Sequence, residues 1–93
     1  MPVTIDEARH RHIFRYAEGH FREDTPANRK ILIDVASEPQ NFLGSDRLGN
    51  RWFEETLADG RQVWAQVRDN KVTNGGINER PRRLAAGQLG NTA

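Results

Sequence analysis

From Arg61 to Arg68 the chain alternates, with Val63, Ala65 and Val67 interleaved among Gln62, Trp64, Gln66 and Arg68. A period of two belongs to a strand with one buried face. The small aliphatics therefore point to a core, and the opposite face presents an indole, an amide and a guanidinium. Arg51 to Leu57 carries a second strand pattern. A third strand-like run follows Asp69-Asn70 and contains Gly75-Gly76, where the absence of side chains signals a bulge or a close approach of backbone, as to a ligand.

The hydrophobic pattern chooses between two registers for the first hairpin. A two-residue Asp59-Gly60 turn would pair Glu54 with Ala65 and set acids on the aliphatic face. A three-residue loop of Ala58, Asp59 and Gly60, with Gly60 left-handed in a bulge, aligns Phe53 with Ala65 and gathers the apolar residues, at the cost of Glu55 opposite Val63. That register is preferred. The Asp69-Asn70 turn is then expected to pair Val67 with Val72 and Gln66 with Thr73. A bulge at Gly75-Gly76 would send Ile77 inward and Asn78 outward. Trp52, Glu54, Trp64, Gln66, Arg68, Thr73 and Asn78 would share the open face. The alternative reverses the faces and packs both tryptophans under helices.

Upstream the period lengthens. Thr4-Ile5-Asp6-Glu7 matches a capping box, and Ile5, Ala8, His12, Ile13, Tyr16 and Ala17 fall near one helical face, with Gly19 as the left-handed terminator. Thr25-Pro26 starts a second helix, whose stripe is Asn28, Ile31, Leu32, Val35 and Ala36 and whose stop is Ser37-Glu38-Pro39. Residues 40–50 read as a loop turning at Gly44 and Gly49. The expected fold is α+β, with two N-terminal helices packed on a three- to four-stranded antiparallel sheet. Residues 1–83 form one domain, and residues 84–93 lose all pattern and read as a mobile tail.

Composition narrows the function. The chain has 93 residues, 35% of them apolar, and no cysteine, which suits one thin core and excludes a disulfide framework or a thiolate metal site. No run of ten apolar residues occurs, so neither a signal peptide nor a membrane partner is expected. Net charge is +1, yet 12 of the 14 basic residues are arginine, whose planar fork matches phosphate oxygens. Arginines gather at 9–22 and again at 80–83, two local patches that fit a specific anionic partner.

His20, in Gly-His-Phe-Arg, projects from a connection and is the candidate for chemistry. Its bland reading is a half-buried histidine bonded to backbone. His10 and His12 are two apart and cannot face one site from a helix, and their spacing fails the i,i+4 pattern of a zinc helix. No metal or cofactor is expected. The absence of G-x-x-x-x-G-K-S/T, G-x-S-x-G and H-E-x-x-H argues against a nucleotide hydrolase, a serine hydrolase and a zinc protease.

Several short motifs are similar to those of the C-terminal toxin domains of bacterial polymorphic and contact-dependent growth inhibition systems. They are Gly-His-Phe at 19–21, Asn-Phe-Leu-Gly-Ser-Asp at 41–46 with Gly-Asn-Arg-Trp at 49–52, Asp-Gly-Arg-Gln-Val-Trp-Ala-Gln-Val-Arg at 59–68, and Asn-Gly-Gly-Ile-Asn-Glu-Arg-Pro-Arg at 74–82. The resemblance spans roughly residues 10 to 83, and two helices followed by a sheet resembles the ribonuclease group named for barnase, EndoU, colicin and RelE. It implies a metal-independent endoribonuclease with RNA, tRNA among the candidates, as substrate. Such a domain is secreted as part of a larger effector, acts in the cytoplasm of a target cell, and is neutralised by a cognate immunity protein. Its carry-over is strongest for His20, Arg68 and the segment from Thr73 to Asn78.

Metal-free RNA cleavage needs a base for the 2′-hydroxyl, an acid for the leaving oxygen, and cations or donors around the phosphate. The expected catalytic set is His20, Arg68 as phosphate clamp, Thr73 and Asn78 as donors, and His12 as second proton-transfer group. Arg29, Arg80 and Gln66 are expected to contact substrate, with Trp52 or Trp64 stacking on a base. The competing class is a non-catalytic RNA- or protein-binding module of immunity or adaptor type.

Overall fold

The computed structural model describes residues 2–84; the tail expectation, from residue 85 on, lies outside them. In chain order the elements are strand β1 (Thr4–Ile5), a 3-10 turn (Glu7–Arg9), helix α1 (His10–Ile13), helix α2 (Pro26–Ser37), a second 3-10 turn (Pro39–Asn41), and strands β2 (Phe42–Ser45), β3 (Arg51–Thr56), β4 (Gln62–Arg68) and β5 (Lys71–Asn78). The sheet order is β1-β5-β4-β3-β2, with β1 parallel to β5 and the remaining pairs antiparallel. The fold is α+β, but the sheet is five-stranded and mixed, in place of the expected three or four antiparallel strands.

Both added strands have physical causes. Thr4 does not cap a helix. Its amide donates to the Asn70 carbonyl at 3.2 Å and the Asp6 amide to Val72 at 3.0 Å, so Ile5 is buried as part of the sheet. Asp6 takes over as cap, accepting from the Ala8 amide at 3.1 Å. The helix expected from Ile5 to Glu18 is reduced to α1, whose buried Ile13 is followed directly by the buried Phe14 outside the helix. Phe14 turns extended and bridges to Phe21, leaving Tyr16 81% exposed. At the other edge, Phe42–Ser45 pairs with β3 through an irregular register, which hid its alternation.

The second helix forms as its caps dictate: the Thr25 hydroxyl accepts from the Asn28 amide at 3.1 Å and Pro26 occupies the first turn. Leu32, Val35 and Ala36 are buried against β3, β4 and β5. The β3–β4 register has Phe53 opposite Ala65 and Glu55 opposite Val63, as the apolar pattern required. Leu57 and Arg61 close the three-residue loop with a 2.7 Å hydrogen bond, and Gly60 has φ +93°.

The β4–β5 hairpin departs from expectation. Val67 pairs with Val72, but Gln66 pairs with Asn74, so Thr73 is the extra residue of a bulge. Gly75 and Gly76 stay in register with Ala65 and Trp64. The Thr73 bulge itself turns Ile77 to Val63 on the core face and sets Asn78 beside Gln62 on the other. The glycines answer a different demand, because each face is approached closely by the protein's own chain. A Cβ on Gly75 would lie 2.9 Å from Leu32 Cδ2 and 2.8 Å from the Trp64 carbonyl oxygen. One on Gly76 would lie 1.8 Å from the Gly19 carbonyl oxygen.

Thus α2 covers one face and the 14–22 segment covers the other, over β5. Gly76→Ala has no rotamer by which to escape a backbone oxygen and is expected to destabilise by about 3 kcal/mol or more. Gly60→Ala meets only the left-handed penalty of about 1–2 kcal/mol, since nothing lies within 4 Å of its Cβ position. Urea unfolding of the two variants checks this order.

Candidate functional site

The Gly19 backbone rests on Gly76, so His20 is set beside Trp64, with ring centroids 5.5 Å apart in an edge-to-face contact. The Trp64 indole N–H donates to the Gly19 carbonyl at 3.0 Å and pins the turn. A carbonyl can only accept, so the 2.9 Å contact between His20 Nδ1 and the Ile13 carbonyl places the proton on Nδ1. His20 Nε2 then carries the lone pair, which accepts from Arg15 Nη2 at 3.2 Å. Partial burial lowers the His20 pKa from its ordinary 6.5; the Ile13 bond opposes this, and the charges of Arg15 and His12 reinforce it. The outcome is a neutral imidazole of defined tautomer, half-buried, beside an exposed guanidinium. His12 is exposed and within electrostatic range of His20.

Both tryptophans lie on the face opposite α2, which removes the reversed assignment. They stack at 5.7 Å and 18°, each half-buried, and the Trp52 indole N–H donates to Asp46 at 3.1 Å. Burial disfavours the Asp46 carboxylate. Hydrogen bonds from the Asn50 side chain and amide, the Trp52 indole and the Leu48 amide nevertheless hold its pKa down to about 2. This loop anchors the outer tryptophan. Gln66, half-buried, lies between Trp52 and Asn74 across the strands.

Other expected members are not brought to His20. Arg68 is four residues along β4 from Trp64, about 13 Å of strand, and its guanidinium donates to the Leu48 carbonyl. It does not clamp a phosphate at His20 in this arrangement. Thr73 is buried and bonds the Gln66 carbonyl at 3.3 Å. Arg29 forks onto two carboxylates, donating to Asp24 at 2.5 and 2.7 Å and to Glu7 at 2.5 and 3.0 Å. Those bonds raise its pKa and lower both acids, so Arg29 ties α2 to the N-terminal turn and leaves the substrate set.

Asn78 is buried beneath the Gly19 turn, its amide donating to Gln62 Oε1 at 2.8 Å. Gln62 also accepts from the Arg82 amide at 3.1 Å and donates to the Arg82 carbonyl at 3.0 Å, which holds the arginine-rich residues after β5 against the sheet. Between those residues and the 16–22 turn is a cleft of about 720 Å³ lined by His20, Asn78, Arg22, Arg80 and Arg82. A smaller cleft of about 240 Å³ joins it along Trp52, Trp64 and Arg83. Arg15 and Gln62 were missed from sequence. Gln62 was visible only as a polar residue two before Trp64, and Arg15 required the turn at Gly19 to be known.

Among the described residues, no group of three or more His, Asp or Glu side chains is placed to hold a metal, and no helix is long and apolar enough to cross a membrane. No family model, curated protein or solved structure matches the chain.

A histidine whose folded pKa is depressed stabilises the fold above the unfolded value, 6.5, and this stability is lost as pH falls toward the folded pKa. Unfolding by urea at pH 7.5 and 5.5 should therefore show a larger acid-induced loss for the native chain than for His20→Gln. Equal losses would show that His20 is not held neutral.

Proposed function

We propose that this domain is an endoribonuclease that cleaves RNA by metal-independent transesterification, with His20 as general base. The observation that carries the reading is the Nδ1–H bond to Ile13, which leaves the Nε2 lone pair of a neutral imidazole beside the Arg15 guanidinium. Histidine in that state can take a proton near neutral pH. Nε2 removes the 2′-hydroxyl proton, the 2′-oxygen bonds to the adjacent phosphorus, and the bond from phosphorus to the 5′-oxygen breaks. Arg15 moves from Nε2 onto the phosphate and balances its growing charge. His12 is the candidate donor of a proton to the departing 5′-oxygen, so the products are a 2′,3′-cyclic phosphate and a 5′-hydroxyl. Action as a toxin in a target cell's cytoplasm, with tRNA among the substrates and an immunity protein as inhibitor, rests on the sequence resemblance alone.

One observation favours a non-catalytic binding module: Arg68, Thr73 and Asn78, all expected to meet substrate, bond within the fold. Incubation with total RNA separates the readings. Cleavage should fall about 100- to 10,000-fold in His20→Ala with circular dichroism unchanged, and an oligonucleotide with a single 2′-deoxy substitution at the cut should stay whole. Intact RNA at high protein concentration would sink the enzyme reading, and binding without cleavage would establish the module.

A further inference from the structure

The wide cleft between the 16–22 turn and the residues after β5 holds groups that proton transfer does not use. Tyr16 is 81% exposed although aromatic, and the Arg22 guanidinium lies 4.2 Å from its ring centroid. Arg80 and Arg82 face them across the cleft, and the Arg82 backbone is fixed on both sides by Gln62. Three guanidiniums outnumber the two carboxylates of the lining, Glu18 and Glu79, so the excess charge is positive. An exposed ring beside convergent arginines matches the two needs of an unpaired nucleotide, a flat surface for its base and cations for its phosphate. A duplex hides its base faces and cannot use the ring.

We infer that this cleft is a binding subsite for single-stranded RNA, in which Tyr16 stacks on an unpaired base flanking the cut and Arg22 and Arg80 hold its phosphates. The subsite rests on the proposed function for its place beside the scissile bond, but its binding is separable from the chemistry. The base displaces Arg22 from the Tyr16 ring, and the freed guanidinium turns to the phosphate. The substrate class is thereby narrowed to single-stranded regions, loops and ends.

The test is fluorescence anisotropy with a labelled 12-nucleotide RNA carrying 2′-O-methyl groups throughout, which cannot be cleaved, against the native chain and against Tyr16→Ala, Arg22→Ala, Arg80→Ala and Lys30→Ala. Tyr16→Ala should weaken binding roughly tenfold or more. Each arginine variant should lower the slope of log affinity against log salt by about 0.7. Lys30→Ala, which removes an exposed cation on α2 at the opposite face of the sheet, should bind within about twofold of the native chain, and the same RNA annealed to its complement should bind far more weakly than the single strand. Unchanged affinity in Tyr16→Ala, or duplex bound as tightly as the single strand, overturns the subsite even where RNA is cleaved. Binding that depends on Tyr16, without cleavage of unmodified RNA, keeps the subsite and removes the enzyme reading. Circular dichroism checks that each variant is folded.

Discussion

Everything on the functional face depends on one contact between two stretches of backbone, the Gly19 turn seated on Gly76. With no side chain at residue 76, the 14–22 segment descends until its carbonyl would touch a Cβ. That depth brings Gly19 within reach of the Trp64 indole and sets His20 against the ring. A segment held one methyl group higher would lose the indole bond and expose the imidazole. The lowered pKa of His20 is thus a consequence of glycine at a position facing away from the helix.

A second constraint is polar accounting. Among the described residues every buried side-chain nitrogen and oxygen has a partner, as an interior of low dielectric demands. Gln62 shows how the accounting shapes the site. Buried beside Asn78, its amide has more hydrogen-bonding capacity than one neighbour can satisfy, and the surplus goes to the Arg82 backbone. The chain after β5 is drawn onto the sheet, and its arginines arrive at the cleft. Arg29 shows the opposite result. Two carboxylates within reach consume its fork, so a cation that composition would offer to phosphate instead fastens α2 to the N-terminal turn.

What was legible in the residues is what local physics determines. The apolar alternation of Val63, Ala65 and Val67 selected the β3–β4 register, Thr25-Pro26 located α2, and the tryptophans stand on the face that alternation gave them. Failures arose where distant partners decided. Thr4 reads as a cap until the β5 backbone offers it a ladder, and the Ile5 to Glu18 helix breaks because Phe14 and Phe21 both have room in a core that periodicity does not reveal. The bulge belongs to Thr73, whereas Gly75-Gly76 serves packing on both faces. Of the expected site, His20, Asn78 and Arg80 line one cleft and the tryptophans its extension, while Arg68, Thr73 and Arg29 are spent elsewhere. Long polar side chains are assigned by whichever partner lies nearest in three dimensions, and spacing in one dimension cannot anticipate that.

The claim that ties fold to chemistry is that His20 is a neutral imidazole with its proton on Nδ1 and its lone pair on Nε2. Nitrogen-15 NMR of the histidine side chains, followed against pH and assigned by comparison with His20→Gln, reads both properties directly. The account predicts an Nδ1–H tautomer for His20 at pH 7 and a midpoint below 6.5. A proton on Nε2, or a midpoint above 6.5, would contradict it.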